Sequence, residues 1–167
     1  MRTTHRRLAP AGAALLLLAL VGCSAGPVRV EGVPTVDDPD LSADDRAACE
    51  DLVADLPATV AGEEEREITP EGVLARGWGE PAIVVLCGAT MPASFSEISD
   101  CEEVGGVGWY APPAAYRDQT ADAVITTIGF EPIVQIRLPA EHRPPVEAMV
   151  DIAPAVLANA TLVDPCV

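Results

Sequence analysis

Cys23 carries the clearest chemical signature in the chain. It ends the stretch Leu20-Val21-Gly22-Cys23, which closes an apolar run that begins at Ala13 and follows three arginines. A basic start, a short apolar core and small residues before a cysteine are typical of a bacterial secretory signal with a lipobox. An ordinary signal peptide would need an A-x-A-like cleavage site, which the neighbouring residues provide only poorly. We therefore predict that residues 1–22 are a signal peptide and that the Cys23 thiol is lipidated.

The four remaining cysteines, Cys49, Cys87, Cys101 and Cys166, predict disulfides. An even number of cysteines in an exported chain is typical of disulfide bonding, and four cysteines allow three connectivities. Zinc is the alternative, but no two cysteines have the C-x-x-C spacing and the exported part contains one histidine, His142. Zinc sites usually need such short ligand spacings. We expect two disulfides, no metal site and no cofactor.

No set of side chains has the spacing of a catalytic site. The sequence lacks a G-x-S-x-G element, and His142 lies in the polar segment 139–145, where we expect an exposed loop histidine. Trp78, Trp109 and Tyr110 are the candidates for a binding surface, because aromatic side chains bind well and their flanking glycines leave the backbone accessible. Core packing is the alternative for these three residues, since the chain has few aromatic side chains.

The exported part of the chain is strongly acidic. Removal of residues 1–22 takes away three arginines and no acid, which leaves seven arginines against 26 acidic residues and a net charge of −19. Such a surface repels phosphate backbones, so nucleic acid is excluded as a partner. It also repels anionic headgroups, so the lipid on Cys23 must anchor the protein to the outer face of the cell membrane.

Composition also divides the chain. Residues 23–42 are rich in Pro, Gly and Asp, which predicts a flexible acidic tether. The remaining residues, 43–167, are enough for one globular domain with a single core. Ser42 followed by Asp44 and Asp45 indicates the start of a helix, which should end before Pro57.

The rest of the domain shows strand-like segments and then a second helix. Strands are expected at 82–87, at 104–110, and at 123–128 and 133–138, which look like a hairpin. Gly105 and Gly106 indicate a bulge or a close approach of the backbone in the second strand. Residues 58–69 are expected to form a solvated turn. A C-terminal helix is expected, and Pro154 should kink or split this helix. Its expected apolar face contains Val146, Met149, Val150, Ala153 and Leu157. We expect an α+β domain, with a small antiparallel sheet of about four to five strands covered by an N-terminal and a C-terminal helix.

Several of these segments resemble a known group of proteins. They are WGEPAIVVLCG at 78–88, Met91-Pro92, VGGVGW at 104–109 and PIVQIRLP at 132–139. Together they resemble small secreted or lipid-anchored actinobacterial proteins known only as a domain of unknown function, over most of residues 46–158. The resemblance implies an envelope protein with no assigned activity. It also implies pairing of Cys49 with Cys87 and of Cys101 with Cys166, because the second pair is often missing from members as a unit.

Two functions of different classes are consistent with these residues. The first is a lipid-anchored envelope protein that acts as a non-catalytic binding module, with an unknown envelope protein or small ligand as its partner. The second is a small extracytoplasmic hydrolase in which His142 works with a nearby acid. The lack of a catalytic set favours the first function.

Overall fold

Residues 26–96 and 98–166 are described by the structure, which is a computed structural model. The predicted signal segment and Cys23 lie outside these residues. The helices are α1 (Ala43–Asp55), α2 (Pro113–Arg117) and α3 (Val146–Asn159), and a 3-10 turn covers Ala140–His142. The strands are β1 (Val28–Arg29), β2 (Thr59–Val60), β3 (Glu63–Arg66), β4 (Ile68–Thr69), β5 (Ala75–Trp78), β6 (Ile83–Cys87), β7 (Glu102–Val104), β8 (Val107–Tyr110), β9 (Ala123–Ile128), β10 (Phe130–Glu131), β11 (Val134–Leu138) and β12 (Thr161–Leu162). No helix within these residues is both long and apolar enough to cross a bilayer.

Eight strands form one antiparallel sheet in the order β2-β3-β5-β6-β11-β9-β8-β7. The mixed class of the fold is confirmed, but the expected number of four to five strands is too small. The expected solvated turn at 58–69 is wrong, because β2, β3 and β4 lie there. β3, which lies next to the edge strand β2, and the edge strand β7 are rich in glutamate and largely exposed. Such exposed strands carry little of the apolar alternation by which a strand is recognised in a sequence.

The two faces of the sheet bury different side chains of the same strands. In β6, Ile83, Val85 and Cys87 join the main core with α1 and α3, whereas Val84 and Leu86 join a smaller cluster on the opposite face. Successive side chains of a strand point to opposite faces of the sheet, which produces this division. The predicted hairpin of β9 and β11 is confirmed by their antiparallel pairing.

The opposite face is covered by the N-terminal segment that the sequence assigned to a tether. β1 pairs with β4, Val30 is only 6% exposed, and Thr35 forms a bridge with Val73. The Arg137 guanidinium donates to the carbonyls of Glu31 and Gly32, each at 2.7 Å. Residues 28–36 therefore lie against the domain, because the valines of this segment find apolar partners on the sheet.

The two long helices begin and end close to their predicted bounds. Ser42 caps α1, and its Oγ accepts the Asp45 backbone N–H at 3.0 Å. α3 is one helix through Pro154, so the predicted split does not occur. Pro154 lies on the exposed side of the helix. Because proline has no backbone N–H, the Val150 carbonyl lacks its helical partner, and Val150 is also exposed. The buried face also differs from the expected one, since Val146, Val150 and Leu157 are about half exposed. The buried residues of α3 are Ala148, Met149, Ile152, Ala153, Ala155 and Val156.

Two cysteine pairs cross-link the fold. Cys49 of α1 pairs with Cys87 at the end of β6, with Cα atoms 5.3 Å apart, and both residues are fully buried. Cys101 pairs with Cys166, with Cα atoms 6.0 Å apart. The first bridge joins a helix to the sheet, and the second joins the C-terminal segment to the residue before β7. These are the two pairs that the family resemblance implied.

Candidate ligand-binding site

The three aromatic residues proposed for a binding surface are buried. Trp78, Trp109 and Tyr110 are 0%, 1% and 2% exposed. The indole N–H of Trp78 donates to the Pro57 carbonyl at 3.1 Å, and that of Trp109 donates to the Val104 carbonyl at 3.1 Å. Trp78 and Trp109 belong to the main core between the sheet and the helices, as in the packing alternative. Tyr110 is buried outside that core, where its hydroxyl donates to Ser94 Oγ at 2.9 Å.

His142 is also less exposed than expected, with a side chain only 10% accessible. Its Nε2 lies 2.7 Å from the Pro81 carbonyl, and its Nδ1 lies 3.8 Å from Glu63 Oε1. A carbonyl oxygen can only accept a hydrogen bond, so Nε2 must carry the proton. Among the hydrogen bonds of the described residues, His142 makes none to a hydroxyl or thiol, and its contacts connect the 3-10 turn to Pro81 and to β3.

A cavity of about 600 Å³ lies beside the N-terminal segment and the ends of β6 and β11. Two of its charged side chains, those of Asp38 and Arg137, already form hydrogen bonds with backbone groups. Asp38 accepts the Asp40 backbone N–H at 3.0 Å, and Arg137 donates to the two carbonyls named above. The Arg137 bonds fasten the N-terminal segment to the sheet. Within residues 26–96 and 98–166, no group of three acidic, histidine or cysteine side chains is arranged to hold a metal ion.

A second cavity of about 240 Å³ has a different character, and we call it the Arg143 pocket. It lies where α2, β7, β9 and the start of α3 meet. Most of its wall is apolar, with a few polar side chains among the apolar ones. The lining residues are Glu102, Val104, Ala111, Ala115, Tyr116, Gln119, Ile125, Arg143, Pro144, Pro145, Val146 and Met149.

Arg143 is placed in this pocket by the turn that precedes α3. The residue ends the 3-10 turn, with its backbone N–H donating to the Ala140 carbonyl at 3.3 Å, and two prolines follow. In its side chain, Nη2 donates to the Ala115 carbonyl of α2. The Nε and Nη1 atoms are buried and have no acceptor among the described residues. Since a buried donor to which nothing is bonded costs about 1–3 kcal/mol, Arg143 carries two buried donors that the described protein groups leave unsatisfied.

The Glu102 carboxylate places a negative charge at the same pocket, next to the Tyr116 phenol. Partial burial of the Tyr116 phenol, followed by the charge of the nearby Glu102 carboxylate and a hydrogen bond to it, raises the pKa of Tyr116. Hydrogen bonds from Thr120, and to a smaller degree the charge of Arg143, lower the pKa of Asp118 at the surface nearby. In the described part of the chain, neither Glu102 nor Arg143 takes part in an ion pair. Two opposite charges thus line one small cavity without bonding to each other.

The β7–β8 hairpin and a disulfide hold Glu102 in position. Val104 pairs with Val107, so Gly105 and Gly106 form the two-residue turn, with φ values of +65° and +81°. Tight hairpin turns of this kind require positive φ at both positions, which glycine adopts readily. The two glycines therefore form a turn between two strands and not the expected bulge. Gly105 makes the close backbone approach that was the alternative, since a Cβ there would lie 2.6 Å from the Ala153 Cβ. Cys101, which is bonded to Cys166, directly precedes Glu102.

Reasoning from the sequence missed this pocket. The segment 139–145 attracted attention for its histidine, whereas its neighbour Arg143 lines the cavity. The available signal was an arginine next to two prolines in a chain with few basic residues. Glu102 had no signal of its own, because one glutamate among 26 acidic residues has no distinguishing context.

The fold and the pocket define an α+β protein that contains two disulfides and a small cavity, with one arginine in its largely apolar wall. A family model described as "Protein of unknown function (DUF3515)" matches residues 10–163, and the chain belongs to this family. The resemblance to a domain of unknown function is thereby confirmed. Searches of the curated proteins and of the solved structures found no match.

Proposed function

We propose that this protein is a lipid-anchored, extracytoplasmic binding module whose ligand site is the Arg143 pocket. The observation that carries the proposal is the pair of buried guanidinium nitrogens of Arg143 that have no acceptor among the described residues. A mostly apolar cavity with a few convergent polar groups is the usual form of a small-molecule site. The ligand therefore combines an apolar body with an anionic oxygen group.

A structural role for Arg143 is the competing explanation. Its Nη2 bond to the Ala115 carbonyl caps the end of the short helix α2, where a cation is favourable. That role uses one nitrogen and leaves Nε and Nη1 without partners. A carboxylate oxygen in the pocket would supply the missing acceptor in a charge-assisted hydrogen bond.

Calorimetric titration of the full mature protein with 4-methylpentanoate tests the site. Arg143→Gln should weaken binding by about tenfold or more, since a hydrogen bond to a charged group contributes about 1.5–3 kcal/mol. Arg117→Gln is the matched control, because Arg117 is an exposed residue of α2 outside the pocket lining. Circular dichroism and the urea midpoint would verify that both variants fold. Equal affinity in the two variants would refute the site.

The cellular location rests on the lipobox and on the two disulfides, which are compatible with an extracytoplasmic protein. Cys23→Ala should leave an unprocessed or soluble form, whereas the wild type should partition into the detergent phase. Ser24→Ala is the control and should partition like the wild type. An unacylated mature N-terminus beyond residue 23, found by mass spectrometry, would show that the anchor is wrong.

A further inference from the structure

We propose that the ligand of the Arg143 pocket is a free α-amino acid with an apolar side chain. This inference rests on the proposed function of the pocket and adds the class of ligand. Its basis is the presence of Arg143 and Glu102 in one cavity with no ion pair involving either of them among the described residues. A plain carboxylate would bond to Arg143 and face the Glu102 charge, whereas a zwitterion offers an opposite charge to each.

The size of the pocket limits the ligand. An apolar cavity of about 150 Å³ admits benzene, so in proportion about 240 Å³ holds about nine or ten non-hydrogen atoms. Leucine has about that number. A sphere of the same volume is about 8 Å across, so the two charges of a ligand inside the pocket lie within about that distance of each other. The α-ammonium and α-carboxylate groups of one amino acid meet this condition.

The rest of the wall fits the third substituent of such a ligand. Val104, Ala111, Ile125 and Met149 supply an apolar surface, and all but Val104 are nearly or fully buried. An apolar side chain there would be removed from water, which is worth about 25 cal/mol per Å² of buried area. A residue inside a peptide lacks one or both of the charged groups, so the free amino acid is the ligand that satisfies the whole site.

Three related ligands separate the contributions of the ammonium group and the carboxylate group to binding. Leucine carries both charges, 4-methylpentanoate lacks the ammonium group and 3-methylbutylamine lacks the carboxylate. Calorimetry on the full mature protein should show leucine binding about tenfold or more tightly than either analogue, given the strength of charged hydrogen bonds. Glu102→Gln should reduce leucine affinity towards that of 4-methylpentanoate and leave 4-methylpentanoate binding unchanged or stronger. Glu103→Gln, a neighbour outside the pocket lining, is the matched control.

The outcomes distinguish this inference from the function on which it rests. If 4-methylpentanoate binds as tightly as leucine and depends on Arg143, the pocket is a carboxylate site and the amino-acid inference is overturned. If none of the three ligands binds to the wild-type protein, both proposals are overturned. Because the comparison of the three ligands uses the wild-type protein, it does not depend on the folding of any variant.

Discussion

Replacement of Gly105 by alanine should destabilise the protein more than the same change at Gly106. Both glycines have positive φ, which costs an L-residue about 1–2 kcal/mol. A Cβ on Gly105 would also lie 2.6 Å from the Ala153 Cβ of α3, and relief of such overpacking typically costs a further 1–3 kcal/mol. A Cβ on Gly106 meets only Leu157 Cδ1, at an ordinary 3.6 Å. Gly105→Ala should therefore cost about 2–5 kcal/mol, and Gly106→Ala about 1–2 kcal/mol.

Urea unfolding followed by fluorescence of the two buried tryptophans measures this difference. A double-mutant cycle with Ala153→Gly isolates the clash, because that change removes the opposing Cβ at a cost of about 1 kcal/mol in the helix. In the Ala153→Gly background, Gly105→Ala should cost no more than Gly106→Ala. If Gly105→Ala and Gly106→Ala are equally destabilising in the wild-type background, and Ala153→Gly changes neither cost, the close packing of the turn on α3 is refuted.

Three further results are expected. Replacing both Cys49 and Cys87 by alanine should cost about 4 kcal/mol in urea unfolding, because the bridge closes a loop of 38 residues, and non-reducing peptide mapping of the wild type should recover this pair. The hydrogen-bonded Arg76 guanidinium lowers the pKa of Glu65, so the Glu65 carboxylate stabilises the fold at pH values above its ordinary pKa of 4.5, and this stability is lost as the pH falls through the lowered pKa. Glu65→Gln should therefore lower the urea midpoint at pH 7. A difference in midpoint between the variant and the wild type that persists in acid would contradict this. Arg137→Ala should speed hydrogen exchange of the β1 amides, since two hydrogen bonds of Arg137 hold the N-terminal segment. Unchanged exchange would show that apolar packing alone holds this segment on the sheet.

Local features of the sequence were sufficient for some of the fold. The cap at Ser42 and the continuous apolar run of β6 have short-range physical causes, a side chain bonded to a nearby N–H and a strand buried on both faces. The hairpin of β9 and β11 likewise follows from two apolar runs around Gly129. The pairing of the cysteines was implied by the family resemblance, because spacing alone allows three connectivities.

Only the tertiary structure decided the extent of the sheet, the position of the N-terminal segment and the site. β3 and β7 exist because an inner strand offers them backbone partners, and residues 28–36 lie on the sheet because Val84 and Leu86 offer an apolar surface there. Neither partner is near in sequence, so no local pattern could indicate the contact. The Arg143 pocket follows the same rule. Arg143 and Glu102 are remote in sequence, and only the folding of β7 against the start of α3 places both charges in one cavity.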